Sequence, residues 1–198
     1  MTKELVVARY QEDLSWLDKV PDDIKITVYN KGEDVLDCSS VPLPNIGREA
    51  HSFLYHIVEN WSKLSDYLIF VQGNPFDHCS KFIDKISSDK SYHDSCVYLC
   101  NHHIIEGMLG NKGPQHPNGL EIEKYLQLFH IPYKHKTVNF APGAQYIVPR
   151  ERIYQHQLRL YRQMKQQIEV SEKENLNPLE AYIYERIWSV LYDKAHYH

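Results

Sequence analysis

Polar side chains that could bind a ligand follow three predicted strands. The loop Gln72–His78 comes directly after 67–71, the most hydrophobic run of the chain. Arg9–Asp13 follows the first predicted strand, and Asn30–Gly32 follows the second. Because ligands of open α/β sheets lie beyond the carboxyl ends of the strands, we expect these three segments to form one site.

The loop after the central strand offers oxygen and nitrogen ligands for a cation. Gln72 and Asn74 carry amides, whereas Asp77 is the nearest carboxylate and His78 the nearest imidazole. Amide oxygens bind hard cations weakly because they carry no charge. Asp77 is therefore the candidate for a cation ligand or a substrate contact. The alternative is that Asp77 caps the helix that follows, and the two roles are compatible.

Two arginines are candidates for phosphate binding. Arg48 follows Gly47 at the predicted start of a helix, where a guanidinium and the helix dipole both favour an anion. A surface ion pair with Glu49 is the alternative. Arg9 ends a buried strand and needs a partner, which would be a phosphate or Glu12.

A zinc site is not favoured by the cysteines and histidines in the middle of the chain. Cys96 and Cys100 are separated by three residues and have no second pair at zinc-knuckle spacing, although His93, His102 and His103 lie nearby. A strand with both cysteines on one apolar face is the preferred interpretation. The chain also lacks the sequence patterns of P-loops, hydrolase nucleophile elbows and zincins.

Hydrophobic periodicity predicts alternating strands and helices that would position these residues. The predicted strands are 4–10, 24–30, 67–71, 96–100 and a bent strand at 140–148. The predicted helices are 12–20, ended by Pro21, then 45–61 with Asn45 near its cap, 76–86, 121–130, 150 to a break near 175–178, and 179–193. A long surface loop is predicted at 107–119.

This order predicts an α/β fold with an open, mostly parallel sheet flanked by helices and with additional C-terminal helices. The chain has 198 residues, which suits a single domain, 1–198, and 87–118 reads as a loop-rich insertion.

Composition limits the classes of partner. The net charge of −4 argues against binding nucleic acid through a broad basic surface. No apolar run reaches the roughly 18 residues of a membrane span. Four cysteines without a signal-peptide pattern predict a cytoplasmic protein. The 15 tyrosines suit a groove for polar, ring-shaped ligands, although half-buried surface positions explain many of them equally well.

Several segments together resemble an uncharacterised domain family with the signature ARYxEDLxWL, GREAHxxLxHI, FxQGxPFDH and ERxW. The matching segments are ARYQEDLSWL (8–17), GREAHSFLYHI (47–57), FVQGNPFDH (70–78), GAQYIVPRERI (143–153) and ERIW (185–188). That family is distantly similar to GT-A type glycosyltransferases. The resemblance implies a GT-A-like (Rossmann-like) sheet, with 1–86 as a nucleotide-binding half and 119–198 as the acceptor-side segment with the C-terminal helices.

The resemblance also implies a function, which is transfer of a sugar from a nucleotide-sugar donor to a glycan or small-molecule acceptor. The Asp-x-Asp metal motif of GT-A enzymes corresponds to Gln72-Gly73-Asn74 here, so dependence on Mn²⁺ or Mg²⁺ would rest on Asp77. The implied nucleotide-binding residues are Ala8, Arg9, Tyr10, Glu12, Asn30, Arg48, Gln72, Gly73 and Asn74. The implied catalytic residues are Glu151, Asp77 and His78.

Three alternatives remain open from the sequence. Glu151 would equally serve to compensate the helix dipole in the first turn of its helix. The chain as a whole could be a noncatalytic sugar- or nucleotide-binding module of the same fold. It could also be a metal-assisted hydrolase built on Asp77, His78 and the histidine-rich loop.

Overall fold

A computed structural model describes residues 1–33, 39–110, 119–174 and 179–193. Its strands are β1 (Lys3–Arg9), β2 (Ile24–Asn30), β3 (Ser40–Pro42), β4 (Tyr67–Gln72), β5 (Val97–Tyr98), β6 (Ile104–Gly107), β7 (Thr137–Phe140) and β8 (Tyr146–Pro149). Six of them form one sheet in the order β3-β2-β1-β4-β8-β5, and β6 pairs with β7 in a small second sheet.

The six-stranded sheet is mostly parallel, as predicted. β3, β2, β1 and β4 are parallel neighbours, with Val7 of β1 opposite both Val28 and Val71. β8 and β5 join at one side in antiparallel orientation. All seven residues of β1 are buried, because helices cover both faces of a strand at the centre of such a sheet.

The helices are α1 (Arg48–Glu59), α2 (Phe82–Ser87), α3 (Ile122–Leu128), α4 (Arg150–Tyr154), α5 (Leu158–Glu174) and α6 (Leu179–Tyr192). Successive strand residues point to opposite faces and so belong to two cores. Val6 packs in the larger core with Trp188 of α6, whereas Val7 packs in the smaller core with Trp16 and Phe82. Among the described helices none is long and apolar enough to cross a membrane.

The prediction of a helix at 12–20 is wrong, since only the 3₁₀ turn Ser15–Lys19 forms there. Side-chain hydrogen bonds hold the preceding residues in a loop. The Arg9 guanidinium donates to the carbonyls of Tyr10 and Glu12, and the Glu12 carboxylate accepts from the amides of Tyr10 and Gln11. With Pro21 ending the other side, too few residues remain for an α-helix.

The predicted helix at 76–86 is split into the 3₁₀ turn Pro75–Asp77 and α2. Between them the chain also bonds to a neighbouring segment. The His78 carbonyl accepts from the Asn101 amide at 2.7 Å, and Ser80 donates to the Asn101 side chain. Asp77 therefore lies outside the first turn of α2, which excludes the capping role that was the alternative for this residue.

The bent strand predicted at 140–148 consists of two strands in different sheets. β7 ends at Phe140 and β8 begins at Tyr146, with a 3₁₀ turn at Pro142–Ala144 between them. Gly143 and Ala144 have φ values of 74° and 54°, which interrupt an extended conformation.

Other boundaries also differ from the predictions. The helix predicted from 150 is divided into α4 and α5, and its predicted break near 175–178 lies outside the described residues. α1 begins after Gly47 with no side-chain cap, so Asn45 is not its cap. The segment 87–118 contributes β5 and β6, and most of the predicted loop at 107–119 is outside the described residues. The predicted strand at 96–100 is reduced to the two residues of β5.

Candidate functional site

A pocket of about 300 Å³ lies at the carboxyl ends of β1, β2 and β4, beside the first turn of α1. Carboxyl ends of parallel strands meet at this edge, where the sequence predicted a ligand site. The pocket is lined by Ala8, Arg9, Tyr10, Glu12, Lys31, Asn45, Arg48, Glu49 and Gln72.

Arg9 builds the wall of this pocket. Its guanidinium donates to the carbonyls of Tyr10 and Glu12 and to Oδ1 of Asn30 at 2.9 Å. Asn30 Oδ1 also accepts from the Gly32 amide. Arg9 and Asn30 were predicted to bind the nucleotide, but the observed bonds join the ends of β1 and β2. The predicted partner of Arg9, Glu12, takes part through its carbonyl and not its carboxylate.

Gly73 is required for a close approach between two segments of the rim. A Cβ at this position would lie 2.5 Å from Oε2 of Glu12, and the Gly73 carbonyl accepts from the Trp16 indole at 2.9 Å. The Glu12 carboxylate can therefore lie against the end of β4. Its Oε2 is held by the Tyr10 amide at 2.7 Å and the Gln11 amide at 3.1 Å. This contact fixes Glu12 at the pocket.

Lys31 connects the end of β2 with the start of α1. It is buried, and its ammonium donates to the carbonyls of Ile46 and Arg48. Gly47 and Arg48 have φ values of 58° and 48°, so the chain turns sharply before the helix begins. Lys31 lies in the segment Asn30–Gly32 that was predicted to form part of the site, but it was not singled out there, because its partners Ile46 and Arg48 lie further along the chain.

Arg48 is the most exposed of the cationic residues that are named as lining the pocket. Its side chain is 51% exposed, with the guanidinium 5.1 Å from the centre of the Tyr182 ring and Nη1 3.2 Å from the Tyr182 hydroxyl. Nε lies 3.6 Å from Oε2 of Glu49. The ion pair with Glu49 is therefore observed at the pocket, whereas phosphate binding by Arg48 stays a prediction.

Glu49 and Gln72 form a second polar wall. Gln72 Nε2 donates to Glu49 Oε2 at 3.2 Å, which fixes both side chains. Glu49 is 7% exposed, so its charge is held in a largely water-excluded place. The sequence suggested Glu49 only as a surface partner of Arg48, since nothing local indicates that β4 supplies an amide to this carboxylate.

A buried carboxylate on α6 lies next to this wall. Glu185 Oε1 accepts from the Gly143 amide at 2.6 Å, and Oε2 accepts from Arg186 at 2.5 Å. Burial and the negative charge of Glu49 raise the pKa of Glu185 to about 7. Arg186 in turn donates to Glu106 at 2.7 Å. The signal that could have indicated this cluster is an adjacent Glu and Arg on an otherwise apolar helix.

The rest of the predicted loop does not line the pocket. Asn74 caps the Pro75–Asp77 turn through Oδ1, and its amide donates to Asp77 at 2.8 Å. The side chain of His78 is nearer, because a Cβ added to Gly143 would lie 2.6 Å from His78 Cδ2 and 3.0 Å from Gln72 Oε1. His78 and Gln72 therefore both adjoin the Gly143 turn, whereas Asp77 is exposed.

Glu151 lies at the opposite edge of the sheet. β8 runs antiparallel to β4, with Pro149 opposite Tyr67, so α4 starts beside the amino end of β4. The Glu151 side chain is 71% exposed and lies 3.7 Å from Arg150. The structure does not bring this predicted catalytic residue to the pocket.

The side chains near the pocket do not fit a divalent cation. Within the described ranges, no three His, Cys, Asp or Glu residues are grouped so that they could hold a metal ion. Asp77 has the Asn74 amide as its neighbour instead of a second carboxylate.

Replacement of Gly143 by alanine is expected to lower the free energy of unfolding by about 1–3 kcal/mol, because a methyl group meets His78 and Gln72 at a position with φ of 74°. Urea denaturation measures this loss. Gly119→Ala is the matched control, since Gly119 also has φ of 74° but has no atom within 4 Å of an added Cβ. Equal losses in the two variants would show that the contact with His78 contributes nothing.

A comparison with known protein families finds a match over part of the chain. No curated protein and no solved structure matches the chain. All nine lining residues lie between Ala8 and Gln72. A sequence model of the family described as "Protein of unknown function (DUF3431)" matches residues 5–93, and the chain is thus similar to an uncharacterised family over the segment that forms the pocket.

Proposed function

We propose that the chain is a glycosyltransferase-like protein that binds a nucleotide-sugar in the pocket and transfers the sugar to an acceptor hydroxyl. One observation carries this proposal. A concave, mixed-charge pocket lies at the carboxyl ends of β1, β2 and β4, with the half-exposed guanidinium of Arg48 on its wall. Open α/β sheets bind nucleotides at this edge, and a guanidinium suits a diphosphate.

The lining residues support a division of roles. The Arg48 guanidinium binds the diphosphate and neutralises the charge that develops when the nucleoside diphosphate leaves. The Tyr10 ring, which is 45% exposed at the rim, offers a face for a base. Glu12 and Gln72 present fixed hydrogen-bonding groups, and Ala8 leaves space between them. His78 and Asp77 remain the candidates for accepting the proton of the acceptor hydroxyl, of which His78 is closer to Gln72.

Nucleotide-sugars are expected to raise the melting temperature of the protein, since a ligand that binds only the folded state stabilises it. Arg48→Gln is expected to weaken the binding of the effective nucleotide-sugar by about 10–100-fold, the loss typical for a charged hydrogen-bonded contact. Calorimetric titration with UDP- and GDP-sugars, with and without Mn²⁺, measures this change.

Arg159→Gln is the control for that experiment, because Arg159 is exposed on α5 and away from the lining residues. It should bind as the wild type does. If no member of the panel binds, or if Arg48→Gln binds as tightly as Arg159→Gln, the proposed function is wrong.

A noncatalytic binding module is the second candidate. The observation that favours it is that none of the three predicted catalytic residues lines the pocket. An assay for transfer separates the two candidates. The protein is incubated with a nucleotide-sugar and a mixture of glycan acceptors, and chromatography measures the nucleoside diphosphate that is released. Binding without any release supports the module.

A further inference from the structure

The carboxylate of Glu49, which lines the pocket, has one oxygen held by a protein side chain. Oε2 is 3.2 Å from Gln72 Nε2 and 3.6 Å from Arg48 Nε. Among the hydrogen bonds of the described residues, none reaches Oε1 of this side chain. Oε1 is not one of the buried side-chain atoms that lack a partner, so water reaches it, and a ligand hydroxyl can replace that water as the donor.

The surroundings of Glu49 indicate what kind of donor fits. Arg9, Lys31 and Arg48 line the same pocket, and their positive charges disfavour an ammonium group on the ligand. A neutral hydroxyl group meets no such repulsion. Glu12 also lines the pocket, and two backbone amides hold its Oε2. A second fixed carboxylate is therefore available to accept a hydrogen bond from a ligand hydroxyl.

The size of the pocket limits how much of a ligand it can enclose. A volume of about 300 Å³ is at the lower end of the range for small-molecule sites, roughly 300–1,000 Å³. It suits one sugar ring with its phosphate and leaves the remainder of a larger ligand at the rim. Arg48 supplies the partner for the phosphate, directly next to Glu49 in the chain.

We propose that Glu49 determines specificity by accepting a hydrogen bond from a sugar hydroxyl of a ligand whose phosphate binds to Arg48. The ligand class is therefore a phosphorylated sugar, either free or as the glycosyl phosphate part of a nucleotide-sugar. The inference rests on the proposed function only in the second case. Gln72 acts as a positioning residue, because its amide holds Oε2 and so fixes the Glu49 carboxylate.

Isothermal titration calorimetry with inorganic phosphate, ribose 5-phosphate and a panel of hexose 1-phosphates tests the proposal. In the wild type, the best sugar phosphate is expected to bind at least about tenfold more tightly than inorganic phosphate, as for a charge-assisted hydrogen bond. In Glu49→Gln this preference should fall to within about threefold, while inorganic phosphate binds as tightly as before or more tightly because a negative charge has been removed.

Glu59→Gln is the matched control, since Glu59 is exposed at the other end of the same helix. It should retain the preference for sugar phosphates. Glu49→Asp keeps the charge but shortens the side chain, and serves if Glu49→Gln does not fold. It should also lose the preference, because the shorter carboxylate cannot keep both Gln72 and the hydroxyl.

The outcomes separate this inference from the proposed function. Equal affinities of the wild type for inorganic phosphate and all sugar phosphates, or an unchanged preference in Glu49→Gln, overturn the inference even if nucleotide-sugars bind. A preference that depends on Glu49, together with no binding of any nucleotide-sugar, supports the inference and overturns the proposed function.

Discussion

Replacement of Arg186 by methionine is expected to lower the free energy of unfolding by about 3–5 kcal/mol. Arg186 is fully buried and lies between two carboxylates, 2.7 Å from Glu106 and 2.5 Å from Glu185. Its guanidinium also lies 4.4 Å from the centre of the Phe140 ring. Methionine fills similar space but leaves two buried carboxyl groups without their cation, and urea denaturation measures the resulting loss.

Two further variants test the cause of this loss. Arg162→Met removes an exposed arginine of α5 and should change stability by no more than about 0.5 kcal/mol. Combining Glu106→Gln with Arg186→Met removes one of the stranded charges and should recover part of the loss. A loss below about 1 kcal/mol in Arg186→Met, or no recovery in the double variant, would contradict the assigned role of the ion pairs.

Acidification from pH 7.5 to pH 5 is expected to remove about 2 kcal/mol of stability through each of two buried histidines, His51 and His56. Burial lowers the pKa of each from 6.5 to about 4, and for His56 the negative charge of Glu4 partly opposes this shift. Both are therefore neutral in the folded chain at pH 5 but protonated in the unfolded chain. Their contribution is complete above about pH 6.5 and is lost as the pH falls towards 4.

Glu185 acts with the opposite sign in the same pH window. Its pKa is raised to about 7, so it keeps a proton in the folded chain that the unfolded chain releases near pH 4.5. Its unfavourable contribution grows as the pH rises through this range, and acidification recovers about 2 kcal/mol. Glu185 should therefore offset part of the stability that the two histidines remove between pH 7.5 and pH 5.

The variants His51→Gln and His56→Gln separate these contributions. The double variant should lose less stability on acidification than the wild type, because the titration of Glu185 is then opposed only by that of His156, whose pKa burial also lowers. Urea midpoints at half-unit pH steps measure both curves. A double variant with the same pH dependence as the wild type would show that neither histidine is protonated on unfolding.

Most of the sheet could be predicted because its pattern is local. Leu5, Val6 and Val7 form a continuous apolar run, as expected for a strand buried on both faces, and the apolar face of α1 follows helical periodicity. The mistaken elements have a different origin. The helices predicted at 12–20 and 76–86 fail where side chains and distant segments take the backbone hydrogen bonds, as Arg9 and Asn101 do.

The candidate site could be predicted only in part. The sequence placed Arg9, Tyr10, Glu12 and Gln72 at one edge because parallel strands share their carboxyl ends, and it gave Arg48 as a separate candidate at a helix start. The resemblance to GT-A enzymes implied that Glu151 is catalytic, although the antiparallel direction of β8 puts that residue at the other edge. Hydrophobic periodicity is the same for both strand directions, so the sequence pattern carries no information on this choice.

The sequence by itself thus determined which segments form the parallel half of the sheet and which polar residues follow them. Only the tertiary structure decided which of these residues line the pocket and which lie outside it. It also decided that Glu49 meets Gln72 and that Gly143 meets Glu185, 42 residues apart in the chain. Contacts of this kind depend on how α1 and α6 pack on the sheet, which no local pattern of residues specifies.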